Sequence, residues 1–569
     1  MAGIITGSAD LRYDRLSLIP LGGQGEVGQV LWVVSYGGEL LLIDAGAAYP
    51  GEDLPGVDLL LPNTNFLEAN QDRILALLLT NGHEEHSGSV GYLLNHLKIP
   101  RIMGPRFVST LVSQNLMDRG NDTVLDTIEM RHPYQIGPFE VEWVQVNDAI
   151  ADACALQIES PAGRIVYTSS FKLDQTPVDS RLADVARLAQ KGDQGVLLLV
   201  SDSAGVEAPG YTPSEKAVTR NLEKNIAGAP GRVIVVVPGT NTHRLQILFD
   251  LARKLDRKVV LVGETLVKAA LVAVVTGNLI YDRKIEAGLE DLQSLPDAKI
   301  LVVATGLEGD PMNMMHELAF GKHKEIAPEE GDTIIYSADI YPGRSRQMAM
   351  ILDEFVSRGV NSFIGLRAGV HVSKHAGGEE LKLMLSITKP RFFVPALGEG
   401  RHIMRHAQLA VDWGMPRDSV FPLQNGDVLE VGTESASVIG TIESQAVLYN
   451  RDQGERVTTF SVNERKNLSL EGVMTIALAV DSQLNVLSGP VIEAGASGFL
   501  QSEEWIAVRG DLGQTVLGTI ASAPGADRED LSLLRTAVRD AAAKLLRSRL
   551  QAKPLIQVVI HQVATSPPG

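Results

Sequence analysis

Apolar residues in the first third of the chain come in short runs broken by turns. The runs are "VLWVVSY" (30–36), "ELLLIDAG" (39–46), "RILALLLT" (73–80), "FEVEWVQV" (139–146) and "RIVYTSS" (164–170). Their length and their turn-rich flanks predict strands. Helical spacing, as in "SVGYLLNHL" (89–97), falls between some of them, and this rhythm predicts an αβ sandwich. From about residue 197 the pattern changes. "GVLLLVSDS", "RVIVVVPG", "KVVLVG", "KILVVATG" and "DTIIYSAD" alternate with helices such as "HRLQILFDLARKL". Near-continuous apolar strands separated by helices predict a parallel, doubly wound unit. Shorter strands, including "RFFVPALG", return between about 360 and 440. The last unit opens with the strand "GVMTIALAVD" and closes with "LIQVVIHQV" after Pro554. Between them, Leu531, Leu534, Val538, Ala542 and Leu545 share one helical face, with Asp527 as the expected N-cap.

Composition narrows the class. At 569 residues the chain exceeds one core, so several domains are expected. The net charge of −18 argues against a general nucleic-acid coat, though not against a local basic groove. The single cysteine, Cys154, rules out a disulfide framework or a cysteine-based zinc site within the chain. A reducing compartment follows. The first residues lack an apolar segment behind a basic start, and no run is long enough to span a bilayer. These features predict a cytoplasmic protein with no membrane partner.

Candidate chemistry begins at "TNGHEEHSG" (80–88), directly behind a predicted strand. Hydrolytic metal sites on β-rich sandwiches hang their ligands on loops at strand ends, and paired cations there clamp a hydroxide and a phosphoryl oxygen. Around this loop, further blocks stand in order. They are "LGGQGEVGQ" (21–29), "LLIDAG" (41–46), "YTSSFKLDQTPVD" (167–179), "SDSAGVEAPGYTPSE" (201–215), "TGLEGDPM" (305–312), "HVSKHAGGEELKLML" (371–385) and "GEGRH" (398–402). Together, almost end to end, they resemble the ribonuclease J family of the metallo-β-lactamase superfamily, in the branch with a β-CASP insertion. "LGGQGEVG" reads G-x-G-x-x-G across Gly23, Gly25 and Gly28, but the resemblance explains it as the opening turn of the sandwich, so it is not taken as a dinucleotide fingerprint.

The resemblance implies an α/β fold: a metallo-β-lactamase αββα sandwich, an inserted β-CASP α/β domain and a small α/β C-terminal domain. The sandwich is expected at 1–196 and 362–445, the insertion at 197–361, a linker at 446–467 and a C-terminal assembly domain at 468–565. It also implies a metal loop H-x-H-x-D-H and two zinc, manganese or magnesium ions. This chain carries Asn81, His83, Glu85 and His86 there. By the same resemblance, Asp148 stands for a ligand histidine, Ser170 for the bridging aspartate and Leu397 for the last histidine. A neutral amide is a poor zinc ligand, a serine cannot bridge two dications, and a leucine cannot coordinate. His83, Asp148, Glu85 and His86 are then a degenerate set, expected to hold no metal tightly and at most one weak divalent ion. Asp44 is expected behind the loop, fixing its backbone.

The insertion's motifs are filled. Asp202 resembles its acidic motif, His243 its histidine motif and His375 its third, with Asp202 and His375 the residual catalytic candidates. His243, Ser373, Lys374 and His375 are the RNA-contact candidates, Lys374 replacing a glycine and Gly377 a serine of the family's phosphate pocket. Gly306 and Gly309 suit a close backbone turn. Plainer roles fit the same residues. His83 and His86 suit polar residues bonded to the loop, Asp148 a solvated turn, Asp202 and His243 caps, and Arg344 and Arg346 a solvated loop.

The resemblance implies a protein of RNA processing and decay. The replaced ligands predict a catalytically impaired, RNA-binding or regulatory subunit that assembles with an active homologue, or as a homodimer or homotetramer. Two alternatives stand beside it: an active metal-dependent 5′–3′ exoribonuclease or endoribonuclease with a reduced ligand set, and a scaffold without an RNA role.

Overall fold

The structure is a computed structural model describing residues 3–4, 11–51, 53–306, 309–340, 343–451, 453–495, 503–523 and 530–563. It divides into two compact units, Met1–Tyr49 with Leu59–Val447, and Pro50–Asp58 with Leu448–Gly569.

The first unit is built on two stacked sheets. One is mixed and runs, edge to edge, through Gly3–Ile4, Ala436–Thr441, Asp427–Val431, Leu16–Gly22, Leu31–Tyr36, Glu39–Ile43, Ile74–Leu78, Ile102–Gly104 and Asp126–Thr127. The other orders Tyr134–Ile136, Phe139–Gln145, Cys154–Ser160, Gly163–Tyr167, Val196–Asp202 and Pro390–Ala396. Strand side chains alternate between faces, so each sheet offers one face to the other. Trp32, Leu41 and Ile43 from the first meet Trp143, Leu156 and Tyr167 from the second in one buried cluster. Outer faces are covered by helices: Arg106–Asp118 over the first sheet, Val185–Asp193 and Gly378–Thr388 over the second. The layer order is αββα, as expected.

Between Asp202 and Pro390 lies a five-stranded parallel sheet. Its order is Lys258–Val262, Ile300–Ala304, Val233–Val236, Thr333–Tyr336 and Asn361–Ile364. Thr242–Lys254 and Glu264–Thr276 pack into one core cluster, Pro311–Ala319 and Ser345–Ser357 into another, which is the doubly wound arrangement. One expectation is corrected. "GVLLLVSDS" belongs not to this sheet but to the six-stranded one, pairing in parallel with Gly163–Tyr167 and Pro390–Ala396. A parallel strand buried on both faces reads as the same apolar run in either sheet, so pattern alone cannot assign it.

In the second unit, Val473–Val480 pairs antiparallel with Val486–Gly495 and parallel with Leu555–Gln562. Leu531–Leu550 buries Leu534, Val538, Ala542 and Leu546 against it, a strict four-residue stripe. Its N-cap is Asp530, whose carboxylate accepts from the Ser532 amide; Asp527 lies outside the described residues. Within 446–467 the chain forms strands Val447–Asn450 and Glu455–Val457, paired as a hairpin, and begins the helix Thr459–Glu471. Among the described residues, no helix is long and apolar enough to cross a membrane.

Candidate active site

The site residues stand on loops beyond strand ends. Asp44 follows Glu39–Ile43 in a left-handed conformation (φ 59°) that aspartate tolerates. Its carboxylate accepts from the Thr80 amide and hydroxyl and from His86 Nδ1 at 2.8 Å. Asp44 therefore fixes both ends of the 80–86 loop, the role expected of it.

Asn81 is fully buried. Its amide oxygen accepts from the His83 backbone N–H at 3.0 Å, and its NH₂ group donates to Ser169 Oγ at 3.1 Å. The oxygen that would face a cation is thus committed to the loop, and a donor points inward instead. His83 is held at both ring nitrogens, by Asp148 Oδ1 at 2.7 Å and Thr240 Oγ1 at 2.8 Å. Burial and the Lys374 ammonium push its pKa below the ordinary range, so the ring is neutral near pH 7. A carboxylate only accepts, so Nε2–H donates to Asp148 and Nδ1 accepts from the Thr240 hydroxyl.

Asp148 is closed as well. Its other oxygen accepts from Ser170 Oγ at 2.7 Å. Burial alone would raise its pKa, but the His83 contact, the Lys374 charge and the Ser170 hydrogen bond hold it far below the usual carboxylate range. His86 keeps a ligand-like posture. Asp44 pins Nδ1, and Nε2 faces Ser170 Oγ at 3.4 Å. Leu397, in a left-handed conformation (φ 55°), packs into the core between the two sheets.

Glu85 meets Lys374. The Nζ–Oε2 distance is 2.6 Å. Against burial, Lys374 draws the Glu85 pKa down to about 2, and Glu85 and Asp148 raise that of Lys374. Beside it, His375 Nδ1 donates to Asp202 Oδ2 at 2.7 Å. Burial would lower the His375 pKa, but the Asp202 carboxylate overrides it and raises the value, so the imidazolium form is favoured. Ser373 serves the loop itself, its hydroxyl accepting from the His375 N–H. His243, in the first turn of Thr242–Lys254, lies against the Asp148 carbonyl at 3.1 Å and 3.6 Å from an Asp179 carboxylate oxygen.

A buried lattice of charges supports the 371–377 segment. Glu215 receives Lys172 Nζ at 3.1 Å and Arg244 Nη2 at 2.7 Å, with all three side chains essentially dry. Lys172 also donates to the Ser373 carbonyl. Glu380 accepts from the Leu173, Thr212 and Gly377 amides. At "TGLEGDPM", Gly309 has φ 85°, and a Cβ on Gly306 would stand 2.5 Å from the Asp310 carbonyl, so the backbone at Gly306 approaches Asp310 closely. Arg344 pairs with Asp310 at 2.6 Å, and Arg346 is exposed on the first turn of Ser345–Ser357.

Sequence reasoning missed Thr240, Asp179, Glu215 and Lys172. Thr240 stands three residues before His243, but nothing local shows that its hydroxyl meets His83.

The fold and this cluster define a metallo-β-lactamase sandwich carrying a β-CASP insertion. Residues 25–112 match the metallo-β-lactamase superfamily, 230–355 the ribonuclease J β-CASP domain, and 460–563 the ribonuclease J C-terminal domain. Ribonuclease J of Synechocystis sp. is 32% identical, over 96% of this chain and 87% of its own. That of Thermus thermophilus is 33% identical over 97% and 96%. Ribonuclease J2 of Bacillus subtilis is 29% identical over 97% and 99%. A solved protein of unknown function from Enterococcus faecalis shares the fold, with a TM-score of 0.51 over 73% of this chain and all of its own, at 16% identity. The chain belongs to the ribonuclease J family.

Membership of the superfamily implies use of divalent metal. The residues present do not fit two such ions. Asn81 turns a donor inward, Ser170 and Leu397 supply neither a bridge nor an imidazole, and His83 and Asp148 are spent on each other. Among the described residues, no group of three or more His, Cys, Asp or Glu is arranged to hold a metal.

Proposed function

We propose that this chain works in RNA processing and decay with a catalytically impaired centre, as an RNA-binding or regulatory subunit that assembles with an active homologue. Membership of the ribonuclease J family supports the RNA role. The observation that carries the impairment is the closure of Asp148. His83 takes one carboxylate oxygen and Ser170 the other, each at 2.7 Å. Neither oxygen is left directed at a shared centre with His86 and Glu85. On this reading the chain holds no metal tightly and one weak divalent ion at most. Cytoplasmic location, and assembly as a homodimer, homotetramer or hetero-oligomer, belong to the same proposal.

What remains is acid and anion chemistry. The His375 imidazolium, oriented by Asp202, can hold a phosphate oxygen or deliver a proton to one. Lys374 beside it adds a second cation, but each is already matched by a carboxylate. This arrangement suits binding and orientation better than activation of a nucleophile.

A second reading, an active metal-dependent ribonuclease with a reduced ligand set, is favoured by His86, whose Nε2 faces a hydroxyl rather than a carboxylate. The test is binding of a 5′-monophosphorylated RNA across a salt series. Affinity that falls steeply with salt supports the RNA role, because phosphate contacts release counterions. Absence of binding at low salt sinks it and leaves the scaffold.

A further inference from the structure

The Lys374 ammonium sits where no surface lysine would. Its stem leaves a segment tied down on both sides. Lys172 Nζ donates to the Ser373 carbonyl at 3.1 Å, and Thr212 Oγ1 to the His375 carbonyl at 2.7 Å. Both partners of the Lys374–Glu85 contact are 18% exposed. The titratable groups around the ammonium are the carboxylates of Glu85, Asp148, Asp202 and Asp339, and the rings of His83 and His375. Glu85, on the loop, and Asp148, beyond it, are themselves the carboxylates that stand at expected ligand positions. A buried carboxylate pair is costly without a countercharge. A family centre would meet that need with metal; here a side chain meets it.

We propose that the Lys374 ammonium is a built-in replacement for the metal cation: it pairs with Glu85 at the degenerate centre, and it makes the native chain indifferent to divalent ions. Two independent features act in one direction. The donors at 81, 170 and 397 are gone, so a dication loses its ligands. A resident cation stands against the remaining carboxylates, so a dication also meets repulsion. The inference rests on the reading of this centre as impaired and names what fills it. The cluster is accordingly expected to be stable without metal, and a divalent ion gains entry only when the lysine is removed.

The test uses thermal unfolding of the full chain, without RNA, in chelator and in millimolar Mn²⁺. Native protein is expected to keep its Tm within about 1 °C between the two. Lys374→Ala is expected to lose roughly 3–8 °C in chelator, since one charge of a mostly buried pair is stranded, and to recover part of that loss in Mn²⁺. Lys374→Arg keeps a cation and is expected to resemble the native chain in both buffers. Equal Mn²⁺ stabilisation of the native chain and Lys374→Ala would overturn the proposal, as would a Lys374→Ala chain with unchanged Tm and no Mn²⁺ response. If Lys374→Ala does not fold, Lys374→Arg against Glu85→Gln/Lys374→Met decides. Tm values near native for both support a charge-matched pair, and an Arg variant that fails to fold like Lys374→Ala overturns it. RNA cleavage by the native chain would instead strike the impaired-centre reading, so the two failures are separable.

Discussion

On the sandwich side of the pocket, His83 and Asp148 hold each other, Ser170 closes the second Asp148 oxygen, and Lys374 covers Glu85. On the side formed by residues 202–244 and 371–377, His375 and Asp202 keep an oriented dyad, carried on the buried Glu215, Arg244 and Lys172 lattice. The first set has satisfied its polar atoms internally. The second keeps an imidazole whose pKa a neighbouring carboxylate raises, at the end of a buried charged support. Side chains that would share a bound ion become one another's partners when ligands are lost, because a buried polar atom left unpaired is destabilising.

The largest effect is expected at the support. Glu215→Ala strands two buried cations and should cost about 3–5 kcal/mol of stability, read by urea unfolding. A cost below about 1 kcal/mol would remove the lattice from the account. Its pH signature has a definite sign. Against burial, Arg244 and Lys172 hold the Glu215 pKa down to about 2, below the ordinary 4.5. Its stabilising contribution is therefore full above about pH 4.5 and lost as pH falls toward 2, and Glu215→Gln should lack that acid-side loss.

The dyad comes next. Asp202→Asn should lower the His375 pKa, followed by NMR of the imidazole ring, and cost about 1–3 kcal/mol. In the native chain the raised pKa contributes stability that is complete below about pH 6.5 and fades as pH rises through the folded value. An unshifted His375 titration in Asp202→Asn would break the contrast between the two sides. Smaller again is Asn81→Ala, which removes the carboxamide that accepts from the His83 amide, for about 1 kcal/mol. Smallest is Arg346→Ala, on an exposed helix turn, expected within about 0.5 kcal/mol of native. A larger change would mean that this residue has a structural partner.

The layers were legible because strand and helix periods are local and the family blocks stand in order. "GVLLLVSDS" falls in the other sheet from the one its pattern suggests, because a doubly buried strand carries no mark of its sheet. The hairpin and helix inside 446–467 were missed because "LYNRDQGERVTTFSVNERKN" is polar, and its helix buries Val462 alone. In the site, the substitutions at 81, 170 and 397 were visible as letters, and so was their effect on coordination. What replaced coordination was not visible. Lys374 and Glu85 are 289 residues apart, and only the folded backbone aims one at the other. Thr240 and Glu215 were hidden for the same reason, since their roles depend on contacts across the fold. Asn81 was read as a weak oxygen ligand, whereas its oxygen bonds the His83 N–H and its amine faces the serines.

The most direct test of the central claim is single-turnover cleavage of a 5′-monophosphorylated RNA by the purified chain. It would be run in Mg²⁺, Mn²⁺ and Zn²⁺ separately, beside His83→Ala/His86→Ala. The account predicts no cleavage, or equal background in both proteins. Metal-dependent cleavage that vanishes in the double variant would contradict it and show that the remaining ligands suffice.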